Sequence, residues 1–143
     1  MKLGVIAPLW EPWPRQAADG AQTPRWTDIR EMARSAEDAG LDSFWVRDHL
    51  LERLDGSGEI GCWEGLTVAA AVAACTSRII VGTLVACTGF RNPALLAKMA
   101  ENLDEISDKR FVLGLGCGWN DVEFAAFGYP PNDASIVSRK LYR

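Results

Sequence analysis

The sequence predicts an α/β protein in which short parallel strands alternate with helices. Four compact apolar runs are separated by segments whose apolar residues recur at helical spacing, and prolines and glycines mark the boundaries. Runs that are apolar throughout are typical of strands buried on both faces, and helices between them supply the connections that parallel strands need. The expected order is βαβαβαβ. An open doubly wound sheet and a (β/α)8 barrel both have this order, so periodicity leaves the choice open.

The first strand and the first helix are expected within residues 2–40. Residues 2–7 form a short apolar run, and prolines at positions 8, 12 and 14 then exclude regular structure. Thr23 and Pro24 predict a cap and a first-turn proline for a helix whose apolar face begins at Ile29. Gly40 predicts the end of that helix.

The second and third strands are expected on either side of an alanine-rich helix. Residues 44–46 are apolar and β-prone, and a loop rich in charge and glycine follows as far as Gly61. Residues 66–75 are small and apolar, which favours a helix packed closely against a sheet. Residues 79–85 then predict the third strand.

The last predicted helix begins at a clear cap, and a glycine cluster follows the fourth strand. Asn92 and Pro93 occupy the cap and the first helical position, and residues 111–115 predict the strand. The glycines stand at positions 114, 116 and 118. A dinucleotide fingerprint would need its third glycine where Trp119 stands, and it normally follows the first strand of its unit. Glycines that permit a tight turn also account for the cluster.

Composition and charge exclude several classes of protein. The chain has 143 residues, enough for one domain, with a net charge of −4. Nucleic acid and anionic membrane both require a basic face, so neither is an expected partner. No apolar stretch reaches the ~18 residues of a membrane span, and no signal-peptide core follows Met1, so the cytoplasm is the expected compartment. The four cysteines form no C-x-x-C pair, which predicts buried, reduced thiols and no zinc site.

One histidine stands where a barrel enzyme would place its chemistry. His49 is the only histidine of the chain, and it follows Asp48 at the expected carboxyl end of the second strand. Barrel enzymes build their sites at that end, and histidine titrates near neutral pH unaided. A structural histidine bonded to a neighbouring carbonyl fits the position equally well. Adjacent strand residues point to opposite faces, so Asp48 need not touch His49.

Aromatic residues are numerous for a chain of this length. Six tryptophans occur, and several fall in predicted loops at strand ends, where they can form the wall of a planar cofactor site. Packing in the core or in loops explains such residues as well. Residues 82–92 close the third strand with a threonine and a glycine-containing loop, which can present backbone amides to a ring system.

Four strings together identify a family resemblance. They are WVRDHL (45–50), RIIVGTLVACTGFRNPALLAKMA (78–100), LDEIS (103–107) and FVLGLGCGWN (111–120). In this order and spacing they resemble the luciferase-like family, over residues 1 to about 130. Members of that family are (β/α)8 barrels that use reduced FMN or the deazaflavin coenzyme F-420. The resemblance implies the barrel, one of these two cofactors, and hydride or oxygen transfer on a small organic substrate.

The resemblance also implies roles for residues at the ends of the second and third strands. His49 matches the histidine that lies beside the ring in deazaflavin-dependent relatives and serves in proton transfer, with Asp48 as its sequence partner. Thr83, Leu84 and Val85 match the strand end that supports the face of the ring, often through a non-prolyl cis peptide.

The end of the fourth strand carries the remaining implied cofactor contacts. Gly114, Gly116 and Gly118 match the turn at which the cofactor approaches the backbone, and Trp119 follows them in the cofactor-binding set. Deazaflavin-dependent sugar-phosphate dehydrogenases place a catalytic glutamate where this chain has Trp119, which argues against that reaction here.

The length predicts an incomplete barrel. A closed barrel takes typically ~250 residues, so 1–143 is expected to be the N-terminal half, of about four βα units, with a divergent tail at 132–143. The loops after strands seven and eight, which commonly hold the cofactor phosphate, would be absent, and the open edges of the sheet predict self-association. A non-catalytic half barrel with weak or no cofactor binding is the alternative. A flavin-free hydrolase or aldolase has no supporting motif.

Overall fold

The computed structural model describes residues 1–9, 24–53 and 59–131. The expected cap at Thr23, the tryptophans at positions 10 and 13, the prolines at 12 and 14, and the divergent tail at 132–143 all lie outside these residues. Within the described parts, the helices are α1 (Trp26–Asp38), α2 (Gly65–Cys75), α3 (Pro93–Ile106) and α4 (Asp121–Ala126). The strands are β1 (Gly4–Ile6), β2 (Ser43–Val46), β3 (Leu51–Arg53), β4 (Glu59–Gly61), β5 (Ile80–Thr83), β6 (Ala86–Cys87), β7 (Phe111–Val112) and β8 (Leu115–Gly116).

The main sheet confirms the predicted α/β class. It has four strands in the order β1-β2-β5-β7, and every neighbouring pair is parallel. The strands therefore follow one another in sequence without the reversal that a doubly wound sheet requires at its switch point. Helices α1, α2 and α3 connect successive strands of this sheet. An unreversed order of this kind is typical of the wall of a (β/α)8 barrel.

The hydrophobic core lies between the sheet and the helices. Phe44, Val46 and Val81 are fully buried and belong to one cluster with residues of all three long helices, such as Ile29 and Leu103. Because neighbouring strand residues point to opposite sides, the alternate residues face away from this core. The protein thus has a packed outer layer and a separate inner sheet face.

Trp45 covers part of that inner face. A Cβ atom on Gly82 would lie 2.4 Å from the Trp45 ring, and one on Gly4 would lie 2.9 Å from the indole nitrogen. The indole Nε1 donates a hydrogen bond of 2.9 Å to the Ser43 hydroxyl. The two glycines leave the space that the large ring occupies.

One helix begins at the cap that the sequence predicts, and another begins later than predicted. Asn92 caps α3 as predicted, because its side-chain oxygen accepts from the amides of Ala94 and Leu95. Helix α1, however, begins at Trp26, two residues later than the first-turn proline predicted at 24. The carboxylate of Asp28 accepts from the Arg25 amide at 2.9 Å and fixes the start there.

The strand boundaries also differ from the predicted ones. The third predicted strand ends at Thr83 and resumes as β6, and the fourth is divided into β7 and β8. Strands β6 and β8 form a separate parallel pair. The predicted loop after β2 contains the antiparallel hairpin of β3 and β4. No helix in the described ranges combines the length and the apolar character needed to cross a bilayer.

Candidate active site

A cavity of about 470 Å³ lies at the carboxyl ends of the parallel strands. Its walls come from the end of β1 and from the segments that follow β2, β5 and β7, together with α4. The residues that line it are Ile6, Arg47, Asp48, His49, Glu52, Leu84, Val85, Cys87, Gly116, Cys117, Gly118, Trp119 and Glu123. Most of the residues predicted from the family resemblance therefore meet at one place.

His49 lies between two carboxylates in this cavity. Its Nδ1 atom is 3.1 Å from Oε1 of Glu123, and its Nε2 atom is 3.4 Å from Oε1 of Glu52. The histidine side chain is 19% exposed, whereas those of Glu52 and Glu123 are 7% and 1% exposed. The imidazole is thus reachable from the cavity and held from behind by buried groups.

Glu123 also fixes the backbone that carries the histidine. Its second oxygen accepts from the amides of Leu50 at 3.0 Å and Leu51 at 3.4 Å. The neighbouring Asn120 side chain donates to the Leu51 carbonyl at 2.9 Å. Helix α4 therefore holds the segment at residues 49–51 through its cap residue and its first turn.

This environment changes the acidity of the histidine. The hydrogen bond to Glu123 raises the pKa of His49 above its ordinary value of 6.5, against the opposing effect of burial. The negative charges of Glu123 and Glu52 add to the rise, and Arg47 reduces it. Protonation of His49 is therefore favoured in the folded chain.

Asp48 takes part in a different network. Its carboxylate accepts from the Cys87 amide at 2.7 Å and from both terminal nitrogens of Arg91, at 2.6 and 2.7 Å. Arg91 also pairs with Glu64, which caps α2 by accepting from the Leu66 and Thr67 amides. These bonds point Asp48 towards the loop after β5. Its predicted part in catalysis, next to His49, stays a prediction.

Burial and charge pairing have opposite effects on the pKa values of Asp48 and Arg91. Burial raises the pKa of Asp48, and the Arg91 guanidinium opposes the rise. Burial works to lower the pKa of Arg91, but the hydrogen bonds to Asp48 and the charges of Asp48 and Glu64 outweigh it and raise that pKa. Arg91 is therefore a permanent cation between two carboxylates.

The end of the third predicted strand forms one wall of the cavity. Thr83 is fully buried, and its hydroxyl donates to the Gly114 carbonyl and accepts from the Gly114 amide. The peptide bond between Leu84 and Val85 is cis, as the family resemblance led us to expect. Both of these side chains line the cavity and are exposed, by 47% and 42%.

The three glycines allow two chain segments to lie against each other. A Cβ atom on Gly114 would lie 2.3 Å from the Thr83 carbonyl oxygen, and one on Gly116 would lie 2.3 Å from a methyl group of Val85. Gly118 has a φ of +79°, which side-chain-bearing residues rarely adopt. Internal packing thus accounts for these glycines, and their contact with a cofactor stays a prediction.

Trp119 lies beside His49 at the surface of the cavity. The two rings meet edge to face, with centroids 5.6 Å apart and an angle of 73° between their planes. The tryptophan is 64% exposed, the largest apolar surface among the residues that line the cavity. It is placed to contact a molecule that enters the cavity.

Comparison with protein families gives a match over nearly the whole chain. The profile of the luciferase-like monooxygenases matches residues 1–136. This chain belongs to the luciferase-like monooxygenase family. The strings that first indicated the resemblance are thus part of a match that extends through all the strands of the main sheet.

Two curated relatives of this luciferase-like chain show the range of the family. It is 39% identical to an F-420-dependent glucose-6-phosphate dehydrogenase of Amycolatopsis mediterranei over 102 residues, which are 71% of this chain and 30% of the relative. It is 31% identical to pyrimidine monooxygenase RutA of Caulobacter vibrioides over 147 aligned positions, which cover 99% of this chain and 40% of the relative. The chain therefore spans less than half the length of either relative.

Solved structures of other proteins confirm the fold. An F-420-dependent secondary alcohol dehydrogenase, in complex with an F-420–acetone adduct, matches 97% of the luciferase-like chain with a TM-score of 0.72 and 24% identity. EDTA monooxygenase of Chelativorans sp. BNC1 matches 98% of it with a TM-score of 0.76 and 16% identity. These matches cover 38% and 35% of the two structures, so the chain corresponds to part of a barrel.

The cavity fits the ring of a flavin or a deazaflavin. Its volume is within the range of about 300–1,000 Å³ found for small-molecule sites. Leu84 and Val85 present apolar surface on one side, Trp119 presents an aromatic ring, and His49 supplies a polar group between them. A flat, mostly apolar ring with polar edges matches that combination.

Several residues of this site could not be found from sequence alone. Glu123 is 74 positions from His49, and Arg91 is 43 positions from Asp48, so no local spacing connects them. One signal was available for Glu123. It lies in the first helix after the glycine cluster, at the same end of the sheet where the segment after β2 places His49.

Proposed function

We propose that this chain forms the cofactor-ring site of a luciferase-like oxidoreductase that acts on a small organic substrate. Reduced FMN or reduced coenzyme F-420, when bound, supplies the hydride or the reaction with oxygen. The observation that carries the proposal is the cavity itself, where apolar strand-end residues and a histidine held by a buried carboxylate face the same space. Such a convergence of an apolar pocket with a group of perturbed pKa favours an active site.

The side chains of the cavity divide into binding and proton-handling groups. In our proposal, Leu84 and Val85 support one face of the ring, and Trp119 packs against it from the opposite loop. His49 moves a proton to or from the reacting substrate. Proton transfer by a positioned side chain typically contributes ~10²- to 10⁴-fold to the rate.

Asp48 and the glycines act behind this surface. Through its bond to the Cys87 amide, Asp48 connects the end of β2, which carries His49, to the chain that follows Val85. Gly116 and Gly118 bring the backbone close to the cavity without side chains of their own. We therefore propose that Asp48 positions the proton-transfer residue and that the glycines admit the cofactor edge.

A titration with each cofactor tests the proposal and chooses between the two. The purified chain is titrated with FMN and, separately, with coenzyme F-420, and the quenching of cofactor fluorescence is recorded. We expect saturable binding of one of them at micromolar concentration. Trp119→Ala should weaken that binding by about tenfold or more, because stacking on an aromatic side chain is worth roughly 1–3 kcal/mol in comparable sites.

Phe127→Ala serves as the matched control for this titration. Phe127 is also an exposed aromatic residue, but it lies at the end of α4 and outside the cavity lining, so its removal should leave binding unchanged. If neither cofactor binds, the proposed function is wrong for this chain, and the non-catalytic half barrel is the correct description.

We also propose that the chain, when produced alone, associates with a second copy of itself and works in the cytoplasm. Within the part of the chain that the structure describes, β1 and β7 are the two edge strands of the main sheet, and Ile6 and Val112 on them are about two-fifths exposed. Unpaired strand edges with apolar side chains favour pairing with another chain. The net charge of −4 disfavours binding to an anionic membrane surface, which supports the cytoplasmic location.

A further inference from the structure

Both ring nitrogens of His49 face carboxylates. Glu123 lies 3.1 Å from Nδ1 and Glu52 lies 3.4 Å from Nε2, and neither carboxylate has more than 7% of its side chain exposed. The two carboxylates come from different elements, α4 and β3. The contact with Glu52 is local, three residues along the chain, whereas the contact with Glu123 depends on the tertiary fold.

The chemistry of imidazole decides which protonation state fits this geometry. A neutral imidazole has one N–H donor, and its other nitrogen is a lone-pair acceptor. A neutral ring can bond to Glu123 through its Nδ1–H, but it carries no charge to offset the two buried carboxylates. The imidazolium keeps the hydrogen bond to Glu123 and places a positive charge 3.4 Å from the Glu52 carboxylate. Since the carboxylates are buried, the attraction between opposite charges is stronger than it would be in water.

The other charges around His49 do not reverse this conclusion. The carboxylate of Asp48, the preceding residue, bonds to Arg91 and to the Cys87 amide and not to the imidazole. Arg47 on the same strand end opposes protonation, but its effect is smaller than those of Glu123 and Glu52. Trp119, which meets the ring edge to face, carries no charge.

We propose that Glu52 and Glu123 are positioning residues that hold His49 as an imidazolium, with Nε2 as a proton donor to the cavity. The charge state is a property of the chain itself, whereas the donor role rests on the proposed function. The contact of 3.4 Å between Nε2 and Glu52 is an ion pair and not a directed hydrogen bond, so the Nε2 proton is available to the cavity, whereas Nδ1 is bonded to Glu123.

The proton balance of the donor role is simple. When a hydride adds to the carbon of a polarised double bond in the substrate, the π electron pair of that bond moves to the neighbouring heteroatom. The Nε2–H bond then breaks, and its proton passes to that heteroatom. His49 is left neutral and still donates its Nδ1 proton to Glu123. A proton from solvent restores the imidazolium before the next turnover.

The presence of a single histidine makes the charge state directly measurable. In the full chain, labelled with ¹³C and ¹⁵N in histidine, the imidazole resonances of His49 are followed by NMR from pH 5 to pH 9 without any cofactor. We expect one titration with a midpoint above the ordinary 6.5. A wild-type midpoint at or below 6.5 would overturn the proposal.

Matched glutamine variants identify the groups responsible. Glu123→Gln and Glu52→Gln should each lower the midpoint, with the larger change at Glu123 because its contact is shorter and more buried. Glu31→Gln, the same substitution at an exposed position of α1, should leave the midpoint unchanged. If both site variants titrate like the wild type, the carboxylates do not hold the charge and the proposal fails. The dispersion of amide resonances shows whether each variant is folded. If Glu123→Gln does not fold, the titration midpoints of the wild type and of Glu52→Gln test the proposal.

These measurements separate this inference from the proposed function. A raised midpoint together with no binding of either cofactor would reject the function and retain the imidazolium. Binding of a cofactor together with an unperturbed midpoint would retain the function and reject the imidazolium.

Discussion

The carboxylate of Glu123 bonds to both the side chain of His49 and the backbone that follows it. One of its oxygens accepts from the imidazole of His49, and the other accepts from the amides of Leu50 and Leu51. The charge that raises the pKa of His49 is therefore the same charge that fixes the backbone beside it. A substitution here affects both the acidity of the histidine and the stability of its loop.

The stability contributed by this pair should depend on pH. A histidine whose pKa is raised on folding stabilises the protein fully below the unfolded value of 6.5, and this contribution is lost as pH rises through the folded pKa. We expect Glu123→Gln to lower the free energy of unfolding by about 2 kcal/mol at pH 6, as for a charged hydrogen bond, and by less at pH 9. Urea unfolding of both proteins at the two pH values measures this. An equal loss at pH 6 and pH 9 would contradict the assigned protonation.

Arg91 connects separate elements of the fold. It bonds to Asp48 after β2 and to Glu64 at the start of α2, while Asp48 in turn receives the amide of Cys87 in β6. The ends of two strands and a helix are therefore held at one point beneath the cavity. The geometry of the active-site loops depends on this network.

Removal of the cation should cost much stability. Arg91→Gln leaves the fully buried carboxylate of Asp48 without its partner, and breaking a buried pair in this way typically costs about 3–5 kcal/mol. Chemical denaturation with urea measures the loss. The double variant with Asp48→Asn should regain part of it, since no unpaired charge remains, whereas Lys98→Gln in an exposed pair should change little. A single variant as stable as the wild type would show that the network does not hold these elements together.

Elements with strong local signals were predictable from sequence. Helix α3 begins at the predicted Asn92 cap, and α2 matches its alanine-rich run, because both depend on caps and spacing within a few residues. The hairpin of β3 and β4 was not predicted. Its segment is polar and rich in glycine, and its pairing is set by contacts with α4 and by the fold around it.

The candidate site likewise contains residues that could be predicted from the sequence and residues that could not. His49 and residues 83–85 could be placed at strand ends because the position of a strand end follows from the apolar run before it. Glu123 could not be predicted, because it reaches His49 only when the fold brings α4 next to the segment after β2. Arg91 likewise has no local pattern that connects it to Asp48.

At the scale of the whole molecule, the described residues cover one face of the main sheet with helices and place no further strand beside its edge strands, β1 and β7. The helices bury the outer face, and Val112 and Ile6 remain exposed on the edge strands β7 and β1. A parallel sheet normally has both faces covered. Contact with another chain would therefore bury apolar surface mainly at the inner face and the edges of the sheet.

This predicts concentration-dependent association of the isolated chain. We expect sedimentation velocity to show a species larger than the monomer, with a fraction that grows with protein concentration. Val112→Lys should reduce that fraction, because charge on an edge strand opposes pairing. Leu95→Lys, which places the same change on an exposed residue of α3, should not. A monomer at all concentrations would reject self-association.

The separation between the packed outer layer and the cavity has an evolutionary consequence. Phe44, Val46 and Val81 point to the helices, whereas Leu84, Val85 and Trp119 reach the cavity and make no part of that layer. Mutations at Leu84, Val85 and Trp119 can therefore accumulate without weakening the packed layer. A lineage with this architecture can explore new substrates at such positions, while selection on folding acts on the packed layer and on buried cavity groups such as Asp48 and Glu123.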